Sequence, residues 1–253
     1  MTVVVSFYCQ DGVVIATDSM LTNSMGNIGT TETKGKKLYT LQPNHLFAFA
    51  GDPALAARFR ALLEQGVIGT LLQQNIPLDY ATGTTIAAIS HFTATSLQFP
   101  INLSCCVSFV HGDQHHCAYF GSDMQPRLLD SDHYWMVFGS GKQYADPFLA
   151  FLTGIFCKRQ PTTNEAKFLA AWVLDHVIQT NTGGVNGPIQ MAVLQRQPDG
   201  VSYGIEDLTE QDIEDQLQVI EDAKAKLVEW RNIMSGSVED PDATPPPTAA
   251  TPV

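Results

Sequence analysis

The sequence predicts an α+β sandwich, with two antiparallel β-sheets packed face to face and helix layers outside them. Apolar, β-rich runs come in pairs joined by turn signals, and helical segments come in pairs between them. The order is two strands, two strands, two helices, strands, two helices, strands, which suits two stacked sheets flanked by helices. At 253 residues and 44% apolar composition the chain can bury a sizeable core.

The elements follow in order. Residues 2–9, Thr-Val-Val-Val-Ser-Phe-Tyr-Cys, form a first strand, and Gln10-Asp11-Gly12 carries the hairpin dipeptide Asp-Gly. Val13–Ala16 is the returning strand and runs into Thr17-Asp18-Ser19. Residues Met20–Thr33 read as a loop. Lys34-Gly-Lys-Lys-Leu-Tyr39 leads to the apolar strand His45–Gly51. Asp52 before Pro53 is an N-cap with proline at the first helical position, predicting a helix over Pro53–Gln65 that stops at Gly66. A second helix covers about Ala81–Thr95. Cys105–His111 and Gln114–Gly121 form a hairpin across Gly112-Asp113, and Trp135–Gly139 is a short strand entering Gly-Ser-Gly.

Helices are expected at Lys142–Phe156 and, from a Thr162/Glu165 capping box, up to Thr180. Ile189–Gln195 and Gly200–Gly204 make a final hairpin. Thr209 and Asp212 start a last helix to Met234. Its stripe Ile213, Leu217, Ile220, Ala223, Leu227, Trp230 and Met234 would pack on the body or on a neighbouring subunit. The domain spans residues 2–205, followed by an acidic amphipathic helix over 206–234. Residues 235–253 are rich in Pro, Ser and Thr and are expected to be disordered.

The charge of −12 is uneven. Residues 206–253 hold 12 acids and 3 bases, and the rest of the chain holds 14 and 11. With no basic patch beyond residues 34–37, the balance argues against nucleic acid. No apolar run long enough to span a membrane and no signal peptide is read, so a cytoplasmic location is expected. The five cysteines lack zinc spacing and are expected to be reduced and mostly buried. His111, His115 and His116 invite a metal reading. Strand alternation turns His115 and His116 to opposite faces, so a partly exposed hairpin is expected, with neither metal nor cofactor.

Thr2 carries the chemical argument. A threonine hydroxyl needs a neighbouring base before it can attack an amide. If Met1 is trimmed, the α-amine of Thr2, with an unperturbed pKa of about 7.7–8.0, becomes that base. The order of Thr2, Asp11-Gly-Val-Val-Ile-Ala-Thr-Asp-Ser19, Gly35-Lys-Lys-Leu-Tyr39 and a strand ending in Ala50-Gly51 resembles the proteasome β-type family of N-terminal-nucleophile (Ntn) hydrolases, near its bacterial homologue group. The resemblance is specific over residues 2–51 and weaker to about residue 204.

The resemblance implies a four-layer αββα fold. It matches Thr2 to the nucleophile, Asp18 to the family carboxylate and Lys37 to the catalytic lysine. Lys36 and Lys34 stay open as alternatives, because reaching Lys37 takes a few extra loop residues. Gly51 matches the glycine whose N–H forms the oxyanion hole, and Ser140 the serine near the terminal amine. A late Asp-x-x-Ser segment of the family has no counterpart in residues 179–188, where Asn181 or Thr182 would have to substitute. The implied activity is a threonine-type peptidase in a self-compartmentalising homo-oligomer of stacked rings, a tetradecamer among them. Its substrates would be peptides or unfolded proteins, with room for an ATP-dependent unfoldase as partner. The absence of an extra N-terminal helix favours a ring of this subunit alone. The alternatives are an inactive structural or binding ring protein and an amidase for small molecules.

Overall fold

The computed structural model describes residues 2–25, 28–41, 44–64, 77–95, 97–181 and 184–235. Strands β1 (Val4–Tyr8), β2 (Gly12–Thr17), β10 (Trp135–Phe138), β11 (Gln190–Arg196) and β12 (Tyr203–Asp207) form one antiparallel sheet in the order β10-β1-β2-β11-β12. Strands β5 (Leu38–Leu41), β6 (His45–Gly51), β7 (Leu103–His111), β8 (Gln114–Phe120) and β9 (Pro126–Leu128) form the second, in chain order. Helices α1 (Pro53–Leu62) and α2 (Pro77–Ala94) cover the second sheet. Helices α3 (Lys142–Phe156), α4 (Thr163–Thr180) and α5 (Glu210–Met234) cover the first.

Strand alternation explains why both sheets read as continuous apolar runs. In β1, Val5 and Phe7 join the helix-side core with Leu149, Leu169 and Val173, while Val4 turns into the space between the sheets. In β6, Phe47 and Phe49 meet Phe59 and Phe92 of α1 and α2, while Leu46, Ala48 and Ala50 face Ile15, Phe138 and Leu194 of the opposite sheet. Strands buried on both faces need no polar positions. Each fully buried Phe or Leu stabilises the sandwich by roughly 1.5–3 kcal/mol.

The caps fall where the sequence places them. The Asp52 carboxylate accepts from the N–H groups of Ala54 and Leu55 at the start of α1, a contribution of about 1 kcal/mol. Thr162 with Glu165, and Thr209 with Asp212, close capping boxes on α4 and α5.

Several expectations need correction. Residues Met20–Thr33 are not a loop. They form most of a separate two-stranded sheet, β3 (Met20–Met25) with β4 (Ile28–Lys34), bulged between Asn23 and Met25. Their polar composition gives no apolar alternation to read. The three-residue β9 is also unexpected; among the described residues it pairs only with β8, an edge position that tolerates its leading proline. Helix α2 begins at Pro77, before Ala81, and α1 ends at Leu62, before Gln65. Gly66 lies outside the described residues, as does the tail beyond Ser235.

The His111–His116 hairpin is partly exposed, as expected, at Gly112–Gln114, while His115 on it is buried. Its Nε2–H donates to the Cys9 carbonyl at 2.8 Å, and its Nδ1 lies 3.1 Å from the Tyr203 hydroxyl. Among the described residues no group of three His, Cys, Asp or Glu side chains could hold a metal. Four free cysteines are buried and Cys157 is half-buried.

Candidate active site

The β1–β2 hairpin builds the first part of the site. Its antiparallel register sets Val4 opposite Thr17, so Val3, the residue before Val4, comes level with Asp18, the residue after Thr17. Asp18 Oδ1 accepts from the Val3 N–H at 3.0 Å, and the Asp18 N–H donates to Val3 O at 3.3 Å. Thr17 Oγ1 donates to the same carbonyl at 3.0 Å. The spacing between Thr2 and Asp18 is therefore the length of one tight hairpin. Asp18 Oδ2 accepts from the Met20 N–H at 3.0 Å, which fixes the carboxylate plane.

Lys37 comes from the segment between β4 and β5. Its ammonium lies within hydrogen-bond distance of Asp18 Oδ1 at 2.9 Å, Asp18 Oδ2 at 3.0 Å and Thr2 Oγ1 at 2.9 Å. Both ions are wholly buried, at 0% exposure. Burial pulls the Lys37 ammonium below the ordinary lysine range, and the Asp18 charge and hydrogen bonds oppose that pull. Lys34 and Lys36 are exposed, and Lys36 Nζ sits 5.5 Å from the Tyr39 ring centroid. Of the lysines in residues 34–37, Lys37 is the one that reaches Thr2.

The other side of Thr2 is held by residues 139–141. The Thr2 N–H donates to Ser140 Oγ at 2.9 Å, and the Gly141 N–H donates to Thr2 O at 3.0 Å. Gly139 has φ +94°, and a Cβ there would stand 2.3 Å from Thr2 O. Gly51 has φ +112°, and a Cβ on it would stand 2.3 Å from Asn102 O. These two positions exclude side chains for steric reasons alone.

Thr2, Gly51 and Ser140 line one cleft of about 380 Å³ with Leu21, Pro53, Ile101 and Asn102 among its walls. All five site residues expected from the sequence converge here: three on the cleft, and Asp18 and Lys37 beneath it. Of the expected substitutes for the late Asp-x-x-Ser segment, Asn181 is buried at the end of α4, and Thr182 lies outside the described residues. In that region the Asn186 carbonyl accepts from the Ser19 N–H at 3.1 Å. Sequence reasoning passed over Thr17 and Gln190, whose roles rest on contacts that no local pattern announces.

The family model described as "Proteasome subunit" matches residues 2–194. The chain belongs to the proteasome subunit family. Its fold is the αββα sandwich of that family, as the solved structures it resembles also show. One is Anbu from Hyphomicrobium sp. strain MC1, at 16% identity and TM-score 0.67, covering 95% of this chain and 100% of that one. A Gly-1 mutant of the same protein gives 16% identity, TM-score 0.68 and coverage of 95% and 99%. Anbu from Yersinia bercovieri, described as an ancestral β-subunit, gives 16%, 0.68, 95% and 98%. No curated protein matches by sequence.

Proposed function

We propose that this proteasome-family subunit is a threonine-type peptide hydrolase. The observation that carries the reading is the contact of Lys37 Nζ with both Thr2 Oγ1 and the Asp18 carboxylate, at the edge of a cleft. After Met1 is removed, the Thr2 hydroxyl attacks the peptide carbonyl carbon and its proton passes to the Thr2 α-amine. Lys37, held charged by Asp18, stabilises the alkoxide-like oxygen as the proton leaves. Since Lys37 donates to that oxygen, the hydroxyl proton is left for the amine side, where Ser140 anchors the nitrogen. The Gly51 N–H takes the developing oxyanion, an effect commonly worth several kcal/mol. The Thr2 ammonium then returns the proton to the leaving amine. Water, activated by the same amine, cleaves the Thr2 ester and restores the hydroxyl.

In this reading residues 2–205 are the hydrolase domain, and α5 is an assembly element. The subunit works in a homo-oligomeric ring in the cytoplasm on peptides or unfolded chains, with an unfoldase as partner. Three features support assembly and location. Phe151 and Ile155 of α3 and Leu227 and Trp230 of α5 are each more than half exposed, apolar surface that further subunits would cover. Free cysteines fit a reducing compartment. No helix among the described residues is long and apolar enough to cross a membrane.

The test is hydrolysis of a fluorogenic peptide panel by the wild type and by Thr2→Ala, with native mass spectrometry of both. The reading expects cleavage by the wild-type oligomer and none by an equally assembled variant. Equal cleavage by both, or a wild-type monomer that cleaves nothing, overturns it.

A further inference from the structure

Lys37 can act on Thr2 only if the backbone beneath it is fixed, and that segment is held from a distant strand. Gln190 opens β11, paired there with Thr17 of β2, the residue next to Asp18. Its side-chain Oε1 accepts from the N–H of Lys37 at 2.9 Å and from the N–H of Leu38 at 3.3 Å. Its Nε2 donates to the Gly35 carbonyl at 2.7 Å. A single amide thus satisfies three backbone groups in four residues, across more than 150 positions of sequence. Other contacts also tie the segment down: Gly35 N–H to Ser19 O at 2.8 Å, the Tyr39 hydroxyl to Lys36 O at 2.9 Å, Phe49 N–H to Lys37 O at 3.3 Å, the pairing of Leu38 with Ala48, and the Lys37–Asp18 ion pair.

We propose that Gln190 is a positioning residue of the hydrolytic site: its amide clasps Gly35–Leu38 and thereby fixes the aim of Lys37 at the Thr2 hydroxyl. The inference rests on the hydrolase reading for its kinetic consequence, not for its geometry. The residue type matters, because only an amide of this length offers an acceptor for two N–H groups and a donor for the carbonyl. Glutamate keeps the acceptors and loses the donor. Methionine keeps the shape and loses both. Gln190 does not line the Thr2 cleft, so it touches no substrate there.

The experiment compares wild type, Gln190→Met and Gln190→Glu. Turnover is normalised to Thr2 sites titrated by an irreversible peptide epoxyketone, and each protein is crystallised. For Gln190→Met we expect kcat per titrated site to fall about 10- to 100-fold, the cost of an ångström-scale misplacement. KM should stay within about twofold, since the ground-state contacts are untouched. Gln190→Glu should restore part of the loss. In the Gln190→Met crystal, Lys37 Nζ should stand beyond hydrogen-bond reach of Thr2 Oγ1. A merely structural role would lower the number of titrated sites and leave kcat per site unchanged, and that result overturns the proposal. So does a Lys37 that stays in place in the crystal. If the wild type turns over no peptide, the hydrolase reading fails and the crystal comparison alone decides the clasp. If Gln190→Met does not fold, Gln190→Glu decides by the same two readouts.

Discussion

The two ends of strand β1 each carry a buried polar cluster, and the clusters differ in one respect that matters. Before β1, Asp18 and Lys37 form a charged pair that ends on Thr2 and opens onto a cleft. After β1, His115 bridges the Cys9 carbonyl and the Tyr203 hydroxyl, and Arg196 donates to that hydroxyl from Nε and Nη2. Burial holds His115 below the ordinary histidine range, so this cluster keeps a neutral ring at pH 7. The second cluster locks β8 and β12 to the turn after β1. Satisfied buried polar groups are common in folded proteins. What sets the first cluster apart is a buried charge aimed at a hydroxyl on a cavity wall.

The largest effects should separate the two ends. Thr2→Ala should reduce peptide turnover to the uncatalysed background while native mass spectrometry shows unchanged assembly, and Thr2→Ser should keep part of the activity. Lys37→Ala and Asp18→Asn should each lower kcat at least about 10²-fold. The wild-type activity that depends on a charged Lys37 should fade below the ordinary lysine value of 10.5 as pH rises, because burial eases loss of the proton. Near-normal kcat in Lys37→Ala would erase the distinction between the clusters.

At the other end Tyr203→Phe should leave kcat unchanged. It strips His115 and Arg196 of a partner and should cost about 1–3 kcal/mol in denaturant unfolding. A loss of activity without a loss of stability would show that the two ends are coupled. Lys36→Ala, one residue from Lys37 but exposed, should change kcat by less than about twofold, within the spread of ordinary surface substitutions.

The smallest effect concerns acid. Burial, helped by His115 and His111, pushes His116 down to about 4 from 6.5. The unfolded chain then takes up the proton first, so stability is lost as pH falls from 6.5 toward 4. His116→Gln should flatten that part of the melting-temperature profile, and an unchanged slope would remove His116 from the acid response.

The legible parts of the molecule are those set by local chemistry. Asp-Gly turns β1 into β2, Asp52-Pro53 starts α1, and the Thr162 and Thr209 boxes start α4 and α5, each within one turn of sequence. The candidate site residues were named through the family resemblance, and the structure brings them together because the β1–β2 and β5–β6 hairpins set Thr2, Asp18, Lys37 and Gly51 at strand ends. The β3–β4 hairpin was not legible, since its polar strands form a sheet of their own. Nor was the burial of His115, which depends on Tyr203 arriving from β12. Gln190 reads as an ordinary first residue of a strand, and its three bonds to residues 35–38 exist only in three dimensions. Of the stripe on α5, Ile213 and Ile220 are buried on this chain. Leu227, Trp230 and Met234 remain exposed on this chain.

The central claim is that Thr2 carries a reactive hydroxyl and a free amine together. Intact-mass spectrometry after incubation with a peptide α′,β′-epoxyketone tests both at once, because the hydroxyl adds to the ketone and the amine opens the epoxide. The account predicts a chain beginning at Thr2, one full inhibitor mass per subunit, localised to Thr2 by peptide mapping and absent from Thr2→Ala. A chain that keeps Met1 and takes up no inhibitor, or an adduct that persists in Thr2→Ala, would contradict it.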